Sequence, residues 1–304
     1  MNEKFEIIEK SFEVDSSPTL DVQNISGHVT LQTGAPGVIS ITAKKYLNRG
    51  NPELTEIHLT QDKNGAVHAR TKFTPGLLGI GRQAAKVDYD ITLPEHCDIR
   101  AELVESRLDI AGISGKIVLN SVSGEINAAN IQDDIRIKTV SGNISADRLA
   151  GKADFDTVSA NITVNNSLIS WLNANSVSGN IAIETGLDQG PYSFKSVSGK
   201  LSIILPQDCG CSISAASLSG EIRTNITATR LTSKPPKHFF ELEGGGPAVI
   251  FNTVSGNMFV LTKDGGESRR PSTGNEKIRK VRLGILTQLE NGELSVEDAL
   301  EKLS

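Results

Sequence analysis

Six letters return along this chain at nearly constant intervals. "SVSGEI" (121–126) is followed by "TVSGNI" (139–144), "TVSANI" (157–162), "SVSGNI" (176–181), "SVSGKL" (196–201), "SLSGEI" (217–222) and "TVSGNM" (253–258). The apolar residue at the second place falls at Val122, Val140 and Val158, two steps of 18 residues, and continues at Val177, Val197 and Leu218 with steps of 19, 20 and 21. A fainter half-copy lies between them: Ile113, Val122, Ile131, Val140, Leu149 and Val158 are each nine residues from the next. A fixed period of this length is the mark of a repeat architecture, because one unit cannot bury its own apolar face and stacked units can.

Within a unit the side chains alternate with period two, as in a strand with one face inward. Ile135 and Ile137 flank Arg136, Ala153 and Phe155 flank Asp154, and Tyr192 and Phe194 flank Ser193. The three-residue step from Ile137 to Val140, and from Phe155 to Val158, breaks that phase and predicts a bend between them. With Val122 and Ile126 read as inward and Gly124 as a point of close backbone approach, each repeat holds two short strands and two corners. Stacked in parallel, such repeats form a β-solenoid with rungs of about 18–21 residues. Right-handed crossovers are the default. The inward ladder predicted on one side runs Leu119, Ile137, Phe155, Ala174, Phe194, Ala215 and Phe251. The outward ladders run Arg136, Asp154, Asn173 and, beside them, Lys138, Asp156, Asn175, Lys195. The repeat positions on which this reading rests are Val122, Gly124, Ile126, Val140, Gly142, Ile144, Val158, Val177, Gly179, Val197, Gly199, Leu218, Gly220, Val254 and Gly256.

Residues 96–262 carry the regular array, and residues 1–95 read as an N-terminal β region that caps it. The cap contains one copy, "NISGHV" (24–29), and a hairpin around Asn64-Gly65. Its Gly-rich loop (72–85) has glycines in the wrong order for a dinucleotide fingerprint. Phe73, Leu77, Leu78 and Ile80 cluster there as a cap folded over the solenoid end or as an exposed patch for a partner or a membrane surface. Residues 263–275 read as a polar linker. Over 276–304 the period changes to that of a helix, with Ile278, Val281, Ile285 and Leu289 on a first stripe and Leu300 and Leu303 on a second. The expectation is a short helical hairpin, too short to stand alone, that docks on the solenoid, on another copy of the chain or on another protein.

A serine repeated seven times without a repeating histidine points to a structural task rather than a nucleophile. Cys97, Cys209 and Cys211 do not form a disulfide framework. Two of them sit at matching places in "LPEHC" (93–97) and "LPQDC" (205–209), which suits buried thiols in equivalent connectors. The five histidines show no ligand spacing. No metal, cofactor or catalytic residue is expected. The formal net charge of −5, with no dense basic run, excludes a nucleic-acid footprint. No signal peptide or run of 18 apolar residues is visible, so the chain as given reads as cytoplasmic with no membrane span. Aromatic content of 4% fits a core of small β-branched residues.

The [ST]-V-S-G-x-[IL] units with a Leu-Pro connector before them resemble the bacterial "putative adhesin" domains of unknown function, over roughly residues 20–262. The segment "RLGILTQLENGELSVEDALEKL" (282–303) resembles a helical-hairpin module found with such solenoids in envelope-stress proteins. The resemblance implies a β-solenoid, a binding or envelope-associated role, possible association with the cell surface, and no catalytic residues. The expected function is therefore a non-enzymatic interaction scaffold whose partner is a protein or an envelope component. The alternative is a carbohydrate-binding or carbohydrate-cleaving β-helix that uses an outward face, with Asp133, Asp134, Asp154 and Asp156 as its acids.

Overall fold

A computed structural model describes residues 3–74, 83–207, 209–225, 230–234 and 237–262. The chain divides into two compact units, residues 1–163 and 164–304. Each is built from short strands stacked in register.

In the first unit, β2 (Thr19–Thr33) forms a whole rung, and β7 (Asp98–Ala111) lies parallel to it from Thr19↔Asp98 to Gln32↔Ala111. The next rung splits at its corner into β8 (Ile117–Ser123) and β9 (Ile126–Ile131), which pair with the first and second halves of β7. Then come β10 (Ile135–Ser141), on β8, and β11 (Ile144–Ser159), whose first half pairs with β9 and whose second half returns to pair with β10. Ile117, Ile135 and Ala153 stand in one column, so the register advances by the 18-residue period of the sequence. The second corner of these rungs turns at Asn130 and Arg148, both with φ of 53°, and asparagine tolerates that conformation well.

On the opposite side of β2 the repeat gives way to other connections. β5 (Val67–Phe73) and β6 (Val87–Leu93) pair in parallel with its two halves. β3 (Val38–Tyr46) is antiparallel to β6, β1 (Phe5–Glu13) to β3, and β4 (Thr55–Gln61) to β5. The hairpin predicted at Asn64-Gly65 joins β4 and β5. Asp62 Oδ1 closes it by accepting from the Asn64 and Ala66 amides.

The second unit repeats the design with one change of order. The second half of β12 (Ile162–Ser178) pairs with β14 (Tyr192–Ser198), and β13 (Ile181–Leu187) pairs with β15 (Leu201–Leu205). The strands stacked on them next are the last in sequence, β20 (Ala248–Ser255) and β21 (Met258–Thr262). β16 (Cys211–Ser217) and β17 (Ile222–Thr224) pair with the far edges of β20 and β21. β18 (Arg230–Lys234) and β19 (Lys237–Leu242) form an antiparallel pair that covers the free edge of β16. The rung 248–262 is thus inserted between rungs 192–205 and 211–224. In the inward ladder Phe251 stands between Phe194 and Ala215. The rings of Phe194 and Phe251 stack at 4.7 Å, and the small Ala215 fills the space beside them.

Two expectations are corrected. The fold class is β throughout: among the described residues there is no α-helix, only one 3₁₀ turn at Pro52–Leu54. The helical hairpin expected over 276–304, with Ile278, Val281, Ile285, Leu289, Leu300 and Leu303, lies outside the described residues. The corner is also displaced. β10 runs straight through the place where a bend was expected, with Ile135, Ile137 and Thr139 facing in and Val140 facing out. Strand alternation persists because the third inward place is taken by a Ser or Thr, and the turn follows at Ser141-Gly142-Asn143. No helix among the described residues is long and apolar enough to cross a membrane.

Candidate interaction surface

Each copy of the repeat resolves into four positions with distinct tasks. The first, Ser121, Thr139, Ser196 or an equivalent, is buried. In these three copies its hydroxyl donates to the carbonyl two residues on, at 3.2 Å for Ser121→Ser123, 2.8 Å for Thr139→Ser141 and 2.9 Å for Ser196→Ser198, whereas the equivalent hydroxyls of Ser176, Ser217 and Thr253 have no such partner among the described residues. The bond closes the corner locally and satisfies a hydroxyl that would be costly to bury unpaired. The third residue ties rung to rung. Ser123 Oγ donates to the Val104 carbonyl at 3.2 Å and Ser141 Oγ to the Val122 carbonyl at 3.3 Å. These serines stitch backbone and show no arrangement for nucleophilic attack.

The fourth residue is glycine because the rung below leaves no room. A Cβ on Gly142 would lie 2.1 Å from the Gly124 carbonyl oxygen, and one on Gly199 would lie 2.2 Å from that of Gly179. Gly142 also has φ of +104°, a conformation that side chains disfavour. Gly124, Gly179, Gly220 and Gly256 meet the same kind of contact or the same conformation. Ala160 holds this place in one copy, is buried, and is not among the residues of positive φ, so that corner turns differently.

The second residue reverses the sequence reading. Val122 and Val140 are 51% and 50% exposed, whereas Ile126 and Ile144 are buried. The same outward place is held by Val104 and Val158 in the first unit. In the second unit it is held by Val177, Val197, Val254 and Leu218, the last 77% exposed. Each unit therefore carries a stripe of β-branched or aliphatic side chains along the outer edge of the SVSG corner, one per rung. Rungs in a parallel stack lie about 4.8 Å apart, so the stripe has a fixed repeat. Elsewhere on these strands the outward places are mostly polar: Arg100, Glu102, Asn120, Arg136, Lys138, Asp154 and Asp156 in the first unit.

Beside the first stripe the predicted charge ladders are present. Arg136 meets Asp154 at 2.7 Å and Lys138 meets Asp156 at 3.5 Å. Asp133 accepts from Ser114 Oγ at 2.8 Å. Three of the four acids offered for carbohydrate cleavage are thus engaged in bonds between rungs. Around the second corner, Asp109 receives Asn127 Nδ2 at 2.7 Å, Arg107, and His28 Nε2 at 2.6 Å. Partial burial opposes its charge, but these hydrogen bonds outweigh it and hold the carboxyl below its ordinary range.

The cysteines fit the packing reading. All three are free and buried. Burial pushes the Cys97 thiol up to about 12 and raises Cys209 and Cys211 as well. His96, next to Cys97, pairs through Nδ1 with Ser114 Oγ at 3.0 Å. Of the N-terminal contact residues, Phe73 ends β5 at intermediate burial, while Leu77, Leu78 and Ile80 lie outside the described residues. One signal in the sequence marks the stripe. Strict alternation carried past Ile137 would have placed Thr139 inside and Val140 outside.

The fold and this corner define a class: a β-solenoid built on a Ser/Thr-Val-Ser-Gly turn. Residues 15–256 match the toastrack DUF4097 family, and the chain belongs to it. No curated protein matches the sequence. Among solved structures, a "putative cell adhesion protein" from Clostridium sporogenes is similar at 16% identity over 86% of this chain and 100% of its own, with a TM-score of 0.29. A "putative adhesin" from Bacteroides fragilis is similar at 10% identity over 85% and 97%, with a TM-score of 0.42. A "putative lipid binding protein" from Parabacteroides distasonis is similar at 12% identity over 83% and 96%, with a TM-score of 0.40.

Proposed function

We propose that this protein is a non-enzymatic, adhesin-like scaffold of the bacterial cell envelope that works by presenting the valine stripe to a binding partner. The observation that carries the reading is the recurrence of an exposed aliphatic side chain at one outward place in eight rungs, four in each unit. A lone exposed valine needs no explanation, but a contiguous apolar row does. In the first unit the polar chemistry of the corner supports the same reading, since the hydroxyls of Ser121, Ser123, Thr139 and Ser141 are bonded to carbonyls within the turn and between rungs.

A photo-crosslinking side chain placed at Val140 in cells tests it. The expected result is a discrete covalent adduct that does not form when the same group replaces Asn127, an outward residue beyond the corner. Equal labelling at both sites, or none at Val140, would refute the stripe as the working surface.

A further inference from the structure

The stripe differs between the two units in what surrounds it. Its rim is made by the outward residue two places before each valine and by the residues one and three places after it. In the first unit that rim holds Glu102, Glu105, Glu125 and Asp156 against Arg107 and Lys138. In the second it holds Lys195 and Lys200 against Glu221. Part of this charge is spent locally, as Arg107 bonds Glu125 and Lys138 bonds Asp156. Glu105 and Lys195 are both exposed, and neither has an ion-pair partner among the described residues.

A surface with one aliphatic side chain about every 4.8 Å is matched best by another with the same repeat, because each side chain then rests between two of the facing row. The chain itself carries such a row in both units, one with an acidic rim and one with a basic rim. Resting on the reading of the stripe as the working surface, we infer that its occupant is a second copy of this chain. The first-unit stripe of one copy lies on the second-unit stripe of the other, with Glu105 facing Lys195. Four aliphatic side chains and their rims make a contact below the ~800 Å² per partner of a standard interface. The association is therefore weak and depends on concentration and salt.

Sedimentation equilibrium of the full chain over a wide concentration range tests this. The expected result is reversible self-association, beginning with a dimer, that loosens as salt is raised. Combined Val122→Thr, Val140→Thr and Val158→Thr keeps the β-branched shape and removes the apolar contact. It should weaken the dimer at least about tenfold with the thermal midpoint unchanged. Glu105→Lys should also weaken it, and adding Lys195→Glu to the same chain should restore it, which a merely structural role for either residue would not do. A monomer at every concentration, a dimer indifferent to the threonines, or a charge exchange without rescue would each overturn the inference. The crosslink at Val140 separates the two proposals. An adduct of twice the chain mass supports both, an adduct with a different protein sinks the second copy alone, and no adduct sinks both.

Discussion

Gly142→Ala is the most direct probe of why the repeat is spelled as it is. The added Cβ would stand 2.1 Å from the Gly124 carbonyl oxygen and 2.8 Å from its carbon. Both are backbone atoms of the rung below, so no side chain can swing away. The native φ of +104° adds strain of about 1–3 kcal/mol for a residue with a side chain. Opening the corner to relieve the clash breaks the Ser141 Oγ to Val122 carbonyl bond at 3.3 Å, worth about 1 kcal/mol. The expected loss is about 2–4 kcal/mol, a large share of the stability of an ordinary domain. Urea unfolding followed by circular dichroism measures it as a fall in midpoint at constant slope.

The control is Ala160→Gly at the matching place of the next rung. Ala160 is not of positive φ, so glycine relieves nothing and costs about 0.5–1 kcal/mol through the unfolded chain. If Gly142→Ala shifts stability by less than about 0.5 kcal/mol, which is the range of a neutral surface change, then the carbonyl contact does not dictate glycine and this account of the motif fails.

Three further outcomes follow from the packing and electrostatics. Phe251→Ala removes a buried ring stacked on Phe194 and should destabilise by about 3–5 kcal/mol; a loss near 1 kcal/mol would mean that rung 248–262 sits at an end of the stack rather than inside it. The carboxyl of Asp109 is held below its ordinary range in the folded chain. The stability it contributes is present above the unfolded-state value and is lost as pH falls through the folded one. The acid limb of the stability profile should therefore flatten in Asp109→Asn; an unchanged limb would refute the assignment. Cys97, Cys209 and Cys211 have raised thiol values from burial, so all three should resist alkylation at pH 8 in the native protein and react together on unfolding. Rapid labelling of any of them under native conditions would contradict their burial.

How far the sequence reaches depends on which force decides each feature. The rung period, the parallel register and the charge ladders were legible because each rests on a pattern that recurs every 18 residues or so, as with Ile117, Ile135 and Ala153 in one column. The insertion of rung 248–262 was not. The copies "SLSGEI" and "TVSGNM" carry nearly the same signal, and only three-dimensional fit places the large Phe251, rather than Ala215, next to Phe194. The N-terminal cap was legible at the Asn64-Gly65 turn, where local chemistry decides, and not in the pairing of β2 with β7, whose partners are 79 residues apart at Thr19↔Asp98.

The orientation of the SVSG valine was misread for an instructive reason. Polarity alone assigns Thr139 to the outer side and Val140 to the inner one. The structure inverts both, because a Ser or Thr hydroxyl can be satisfied inside a corner by the carbonyl two residues on, as Thr139 is by Ser141. Once the hydroxyl is paired, its methyl or methylene packs like any small core group, and the turn gains a fixed geometry that an apolar residue would not supply. The valine is then forced outward by strand parity alone. Its position follows from folding the corner, but its apolar character does not, since Thr would hold the same outward place with the same β-branched shape. That leaves the choice of valine over threonine at seven of eight outward places as the part of the repeat that folding leaves unexplained, and the part that the proposed contact with another surface would account for.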